Sequence, residues 1–296
     1  MRHVSIVIPV RNEAVPLAAL LLEVRRQVPE AEIIVVNDGS SDGTAAVAAA
    51  AGVRVLSHPY PMGNGAAIKT GARAARGKII VFMDGDGQHR AEDIPRLLEK
   101  LEAGYDMAVG ARVRDSHAGA HRAIANDVFS RFASWMVMQR IDDLTSGFRA
   151  VRADKFRQFL YLLPNGFSYP TTITMSFFRA GYGVAYVPIR ALTRVGKSHI
   201  RPLRDGVRFL LIIIKVGTLF SPLKLFLPVS GGFFLTGITY YAYTYFTSGR
   251  FTNMSALLFI SAILTFLIGI VSEQISSLHY RDLGNGKDGA DHNRGG

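Results

Sequence analysis

Lys78-Ile79-Ile80-Val81-Phe82-Met83-Asp84-Gly85-Asp86-Gly87-Gln88-His89 is the stretch that decides the fold. A β-branched apolar run ends abruptly in acids, glycines and an amide. Short apolar runs bounded by turn residues read as strands buried on both faces. The same punctuation repeats outward from it. Val4–Val10, Glu32–Asn37, Val53–Ser57 and Asp106–Gly110 are further short β-rich runs around Lys78–Met83. Helical patterns at Ala14–Val28, Gly43–Ala51, Gly65–Ala75 and Ala91–Ala103 alternate with them. Strands alternating with helices predict an α/β, mostly parallel, doubly wound sheet over residues 1–200. In such sheets the ligand lies beyond the carboxyl ends of the strands. Pro9-Val10-Arg11-Asn12-Glu13, Asp38-Gly39-Ser40-Ser41-Asp42 and Asp84–His89 therefore share one edge.

The last of these turns carries the most chemistry. Asp84 and Asp86, one glycine apart, bring two carboxylates close enough to share a divalent cation. Gln88 adds a carbonyl oxygen, giving the hard oxygen set that Mg²⁺ or Mn²⁺ prefers. An EF-hand is excluded, because His89 stands at the sixth loop position and Pro95 at the twelfth. A solvated Asp-Gly turn and an aspartate nucleophile stay open on these residues alone. Gly196-Lys197-Ser198 is no P-loop, since Ala191 occupies the place of its first glycine. Gly63-Asn64-Gly65-Ala66-Ala67-Ile68 lacks the third glycine of a dinucleotide fingerprint. The histidines show no paired zinc spacing, and His3, His58, His117 and His121 read as surface or packing residues.

Composition separates the rest of the chain from this domain. With 296 residues and no cysteine, the protein has length for two domains but no disulfide, thiolate zinc site or cysteine nucleophile. Lys+Arg number 34 against 23 Asp+Glu, so a net charge of +11 calls for acidic partners. Mean hydropathy is nevertheless +0.19, and the apolar excess sits at the C-terminal end. No charged residue occurs from Leu225 to Gly249 or from Phe251 to Ser272. About twenty helical residues at ~1.5 Å each cross the ~30 Å of a bilayer core. A two-helix transmembrane hairpin is expected over 222–280, its tip near Thr247-Ser248-Gly249-Arg250 and an aromatic belt from Tyr240 to Phe251.

Arg190, Arg194, Lys197, Arg201, Arg204, Arg208, Lys215 and Lys224 precede the hairpin with one acid, Asp205, among them. An amphipathic interface helix over 201–221, its cations on anionic headgroups, accounts for that pattern. Membrane surface is then the partner of these charges, and nucleic acid is not required. Cations at the hairpin base outnumber Arg250 at the tip, which predicts a cytoplasmic N-terminal domain at the inner membrane. Met1-Arg2-His3 leads straight into a strand, so no signal peptide is expected. The tail, 281–296, reads as disordered.

Three motifs now carry a resemblance. Ile8-Pro9-Val10-Arg11-Asn12-Glu13, Val36-Asn37-Asp38-Gly39-Ser40-Ser41-Asp42-Gly43-Thr44 and Met83–His89 resemble the nucleotide-sugar motifs of family 2 glycosyltransferases. Asp143-Leu144-Thr145-Ser146-Gly147-Phe148-Arg149 and the segment Arg194 to Lys197 narrow the likeness to the polyprenyl-phosphate glycosyltransferases. That group includes dolichol-phosphate mannose synthase. The likeness covers roughly residues 4–200, and the anchor is similar to that of the group's membrane-bound branch.

The resemblance implies a GT-A-type, Rossmann-like fold and transfer of one sugar from a nucleoside-diphosphate donor to polyprenyl phosphate, with inversion. It implies Pro9, Asn12 and Glu13 beside the base or ribose and Asp38 on the base edge. It implies Mg²⁺ or Mn²⁺ and the donor diphosphate on Asp84, Asp86 and Gln88, Asp86 being catalytic. Arg112 and Arg122 match arginines that grip the lipid phosphate, with Asn126 where serine is frequent. Arg194 and Lys197 match a loop over the diphosphate, although Gly196-Lys197-Ser198 departs from the usual small-Ser-Lys order. Asp143, Ser146 and Arg149 belong to the motif without an assigned role. A different acceptor, a non-transferring nucleotide-sugar binder and a homo-oligomer all stay open. A processive polysaccharide synthase does not, since Trp135 follows Ser134 and Gln-x-x-Arg-Trp is absent.

Overall fold

The protein is described from a computed structural model, over residues 4–113, 130–166, 168–190, 214–215, 217–218 and 221–285. The chain divides into two compact units, Met1–Asp205 and Gly206–Gly296. The first is a seven-stranded sheet of order β3-β2-β1-β4-β6-β5-β7. Its strands are β1 (Val4–Val10), β2 (Glu32–Asn37), β3 (Arg54–Ser57), β4 (Ile79–Phe82), β5 (Met107–Arg112), β6 (Arg149–Arg152) and β7 (Val184–Ile189). All pairings are parallel except those of β6, which runs antiparallel to both β4 and β5.

The helices α1 (Ala14–Gln27), α2 (Thr44–Ala50) and α4 (Ile94–Glu102) fall within the predicted spans, and α3 (Asn64–Ala74) starts one residue before its own. Leu17, Leu20, Leu21 and Val24 of α1 repeat at i, i+3, i+4 and i+7 and are all buried. They pack with Ile6, Ile8, Val35, Val81, Leu97, Leu101 and Phe148 into one core on that face of the sheet. Each such side chain taken from water contributes about 1.5–3 kcal/mol, so the core holds the edge loops on a rigid base.

The sequence pattern did not disclose β6, β7, α5 (Ala153–Arg157) or α6 (Tyr169–Arg179). The antiparallel strand has the larger consequence. Its first residue, Arg149, registers against Phe82 of β4 and Val109 of β5, near the carboxyl ends of both. The loop that leads into β6 therefore arrives at the ligand edge, although it precedes a strand.

Pro9 lies inside a central strand, normally an unfavourable place. Val10 accepts from the Asp38 amide on the β2 side, whereas Val7 accepts from Met83 on the β4 side. Pro9, two residues beyond Val7, faces the same side as Val7, past the last β1–β4 pair at Val7↔Phe82. No ladder bond is lost there.

In the second unit, α7 (Pro222–Ser248) and α8 (Asn253–Asn285) form an antiparallel hairpin, turning at Gly249 in the left-handed region. Only 11% and 17% of their apolar windows are buried, which sets them apart from core helices. Ser230 Oγ donates to the Ala262 carbonyl at 2.8 Å, and Glu273 accepts from the Leu223 amide at 3.2 Å. The helix α8 runs on past residue 281, where the disordered tail is expected to begin, as far as Asn285. Of the expected interface helix only Ile214, Lys215, Gly217, Thr218 and Ser221 are among the described residues.

Candidate active site

Two loops at the sheet edge are stitched together first. Asn12, at φ 56°, accepts from the Ser41 amide at 2.8 Å, and its own amide donates to Ser40 Oγ at 3.0 Å. The Glu13 amide donates to Thr44 Oγ1 at 3.0 Å. Asp42 accepts from the Thr44 amide at 3.0 Å and the Ala14 amide at 3.4 Å. The segment after β1 and the segment after β2 thus form one double loop.

Asp38 closes that loop against α3. Its carboxylate accepts from the Met62 and Gly63 amides at 2.7 and 2.8 Å and contacts His58 Nδ1 at 2.8 Å. His58 Nε2 meets Thr70 Oγ1 at 2.9 Å. Burial pushes the Asp38 carboxyl up, but His58 and the two amides outweigh it and hold the group below its ordinary value. The N-terminus of α3 is itself taken, since the Gly65 and Ala66 amides donate to the Gly166 and Asn165 carbonyls.

The Asp84-Gly85-Asp86 turn passes directly over the end of β1. A Cβ on Gly85 would stand 2.4 Å from Val10 Cγ1, so only glycine lets the turn lie there. Asp86 accepts from the Gln88 amide at 3.1 Å, which curls the turn. Above it comes the loop leading into β6. Gly147 lies so close to Asp84 that a Cβ would be 2.7 Å from its Oδ2. His89 stacks on Phe148, ring centroids 5.1 Å apart and planes at 18°. Its Nδ1, buried and without a hydrogen bond, stands 3.9 Å from Asp84 Oδ2. Burial pushes the imidazole down to about 4, against the opposing pull of Asp86, so the ring is neutral at pH 7.

Arg112 closes the same edge from the end of β5. Its Nε and Nη2 donate to the two oxygens of Asp143 at 2.8 and 3.0 Å, a bidentate pair. Asp143 also accepts from the Thr145 and Ser146 amides at 3.0 and 3.1 Å. Burial would raise the Asp143 carboxyl, yet Arg112 and these amides hold it low. The same pair raises the Arg112 guanidinium despite its own burial.

Beneath the loop sits Arg149, completely buried. It donates to the Ser146 carbonyl, to the Pro170 carbonyl at 3.3 Å and to Thr174 Oγ1 at 3.2 Å, and lies over the Tyr169 ring. Tyr169 donates in turn to the Gly147 carbonyl at 3.1 Å. Arg149 and Tyr169 thus pull two successive carbonyls inward and present the loop's other face to Asp84.

Of the expected residues, Pro9, Asn12, Glu13, Asp38, Asp84, Asp86, Gln88, Arg112, Asp143, Ser146 and Arg149 all lie at or beneath this edge. Arg122, Asn126, Arg194 and Lys197 lie outside the described residues. Sequence reasoning gave no role to His58, His89 or Tyr169. Only His89 carried a signal, following Gln88 directly. Among the described residues no three His, Asp or Glu side chains already converge as metal ligands. The oxygen donors of Asp84, Asp86 and Gln88 nonetheless suit a hard divalent cation, and the close approach of Gly147 and the orphaned His89 nitrogen crowd the same spot.

The mostly parallel sheet with this acidic turn at its edge is the frame of a glycosyltransferase, and comparison agrees. Glycosyl transferase family 2 matches residues 5–160, more than half the chain, and the chain belongs to that family. A second match, to the GtrB C-terminal hairpin, covers residues 221–278. Among curated relatives, glycosyltransferase AglJ of Haloferax volcanii is 27% identical over 93% of this chain and 94% of its own. An undecaprenyl-phosphate mannosyltransferase of Micrococcus luteus is 31% identical over 67% of this chain and 87% of its own. A polyprenol monophosphomannose synthase of Mycolicibacterium smegmatis is 29% identical over 66% and 82%. The crystal structure of glucosyl-3-phosphoglycerate synthase from Mycobacterium tuberculosis with Mn²⁺, UDP and glucosyl-3-phosphoglycerate aligns at TM-score 0.59 and 21% identity. It covers 73% of this chain and 80% of that one, and the likeness is one of GT-A fold.

Proposed function

We propose that the protein transfers one sugar from a nucleoside-diphosphate donor to a polyprenyl phosphate at the cytoplasmic face of the inner membrane. The observation that carries this reading is the loop before β6, folded back so that Gly147 meets Asp84 while Asp143 holds Arg112. Donor-side acids and an acceptor-side cation then occupy one edge. The names of the relatives and the apolar hairpin support the lipid acceptor.

A phosphate monoester has a second pKa near ~6, so the acceptor arrives largely as a dianion. Such a nucleophile needs no general base. Its oxygen attacks the anomeric carbon, the bond to the diphosphate breaks, and the nucleoside diphosphate leaves. One in-line displacement inverts the anomeric configuration. What the chain must supply is position and countercharge for two anions. Arg112 does this from β5, and the reading adds Arg122 and Asn126 for the acceptor and Arg194 and Lys197 for the diphosphate. Asp84, Asp86 and Gln88 would hold Mg²⁺ or Mn²⁺, which when bound stabilises the leaving diphosphate. Pro9, Asn12, Glu13 and Asp38 shape the nucleoside end. The excess of cations at the hairpin base over the lone Arg250 at its tip supports a cytoplasmic first unit.

The test is a panel of UDP- and GDP-sugars with full-length protein in detergent, short-chain polyprenyl phosphate and Mg²⁺ or Mn²⁺. Glycolipid formed from one donor is expected. Transfer to a glycolipid or polysaccharide instead, or donor binding with no transfer, overturns the acceptor or the activity respectively.

A further inference from the structure

The nitrogen of His89 is the one buried polar atom at the acidic turn whose state the proposed chemistry leaves unexplained. The side chain is 7% exposed, and its Nδ1 has no hydrogen-bond partner. Buried polar nitrogens without partners are rare, and each calls for a reason. At 3.9 Å from Asp84 Oδ2, Nδ1 is too far for a hydrogen bond. Two atoms that share one octahedral ion at ~2.0–2.1 Å lie roughly 3 Å apart when adjacent and about 4 Å apart when opposite. The observed separation falls inside that window.

We infer that His89 Nδ1 is a further protein ligand of the divalent cation held by Asp84, Asp86 and Gln88, and that it biases the site from Mg²⁺ toward Mn²⁺. This rests on the metal reading given above. The ring is already fixed for the task by its stack on Phe148, which itself belongs to the loop that packs on Asp84. Other groups around it do not compete for the nitrogen. Asp143 is engaged by Arg112 and by backbone amides. An imidazole among oxygen ligands moves preference away from Mg²⁺ and toward first-row transition ions. With the carboxylates, the amide oxygen and the imidazole as protein ligands, the remaining positions are left to diphosphate oxygens.

The experiment is Mn²⁺ binding to full-length protein in the presence of UDP or GDP, read by pulsed electron paramagnetic resonance with [¹⁵N]histidine labelling. A histidine-nitrogen hyperfine coupling is expected in the wild type and absent in His89→Gln. Calorimetry should show the Mn²⁺ Kd rising about tenfold in that variant while the Mg²⁺ Kd changes less than about threefold. Bound Mn²⁺ without a histidine coupling in the wild type overturns the inference and leaves the metal reading standing, with no need of a variant. An unchanged Mn²⁺-to-Mg²⁺ ratio in a folded His89→Gln protein does the same. Nucleotide binding without any Mn²⁺ uptake overturns both.

Discussion

Two aspartates follow the strands on either side of β1 at one edge, yet their surroundings differ. Asp38 follows β2, has a side chain 6% exposed, and gives its carboxylate to His58 and two backbone amides. Asp84 follows β4, has a side chain 34% exposed, and is approached by a glycine on one flank and an unpartnered imidazole nitrogen on the other. The first carboxylate ties the end of β2 to the segment leading into α3. The second keeps a face toward solvent. Residue type and edge position are the same, but burial differs, and the more exposed carboxylate is the one the proposed metal site uses.

The sharpest way to break this contrast is at the acidic turn. Asp86→Asn removes charge without volume and should lower glycolipid formation by ~10³-fold or more, about 4 kcal/mol of barrier, with the fold intact. Mn²⁺-dependent donor binding should weaken with it. Activity near wild type, or undiminished in excess EDTA, removes the chemical role from the turn.

Asp38→Asn should act on stability instead. The amide group of asparagine would turn N–H donors toward the Met62 or Gly63 amides, leaving donor facing donor in a buried place. A loss of about 2–4 kcal/mol in denaturant melts is expected, with transfer per folded molecule changed much less. The folded pKa of Asp38 is depressed, so its stabilisation is complete above the unfolded value of ~3.9 and is lost as pH falls through the folded one. The gap between wild type and variant should be full at pH 7 and close below about pH 4. A variant that keeps its stability but loses donor affinity would make Asp38 a base reader and erase the contrast.

Gly147→Ala sharpens it at the smallest scale. The new methyl would press on Asp84 Oδ2 from 2.7 Å, in a backbone conformation alanine tolerates. Expected are a 10–100-fold loss in kcat/KM, about 1.4–2.7 kcal/mol, and a stability change within about 1 kcal/mol. Unchanged kinetics would mean that Asp84 is not held by this approach.

The sequence disclosed the elements whose patterns are local. β1, β2 and α1 follow from apolar runs and helical spacing, and the Asp84–Gln88 turn stands out because its acids end a strand. What it hid depends on distant partners. The β6 strand is four residues long with arginine at both ends, unlike a buried strand until α6 and β5 are in place. In α6 the polar Thr171, Thr172, Thr174 and Ser176 are all buried. Thr172, Thr174 and Ser176 return their hydroxyl protons to carbonyls one turn back, which lets a polar sequence serve as core. His58 read as a surface or packing residue, because its partners lie 20 positions before it and 12 after it.

Pro9 has a consequence for how the cleft exists at all. The β1–β2 ladder continues to Val10↔Asn37, while the β1–β4 ladder stops at Val7↔Phe82. An ordinary residue at position 9 would offer an N–H to the departing β4 chain and invite the two strands to zip further. Proline has none to offer. The sheet is therefore permanently unbuttoned where its strand order reverses, and the Asp84 turn crosses the gap. The mouth of the site is cut into the backbone before any ligand arrives.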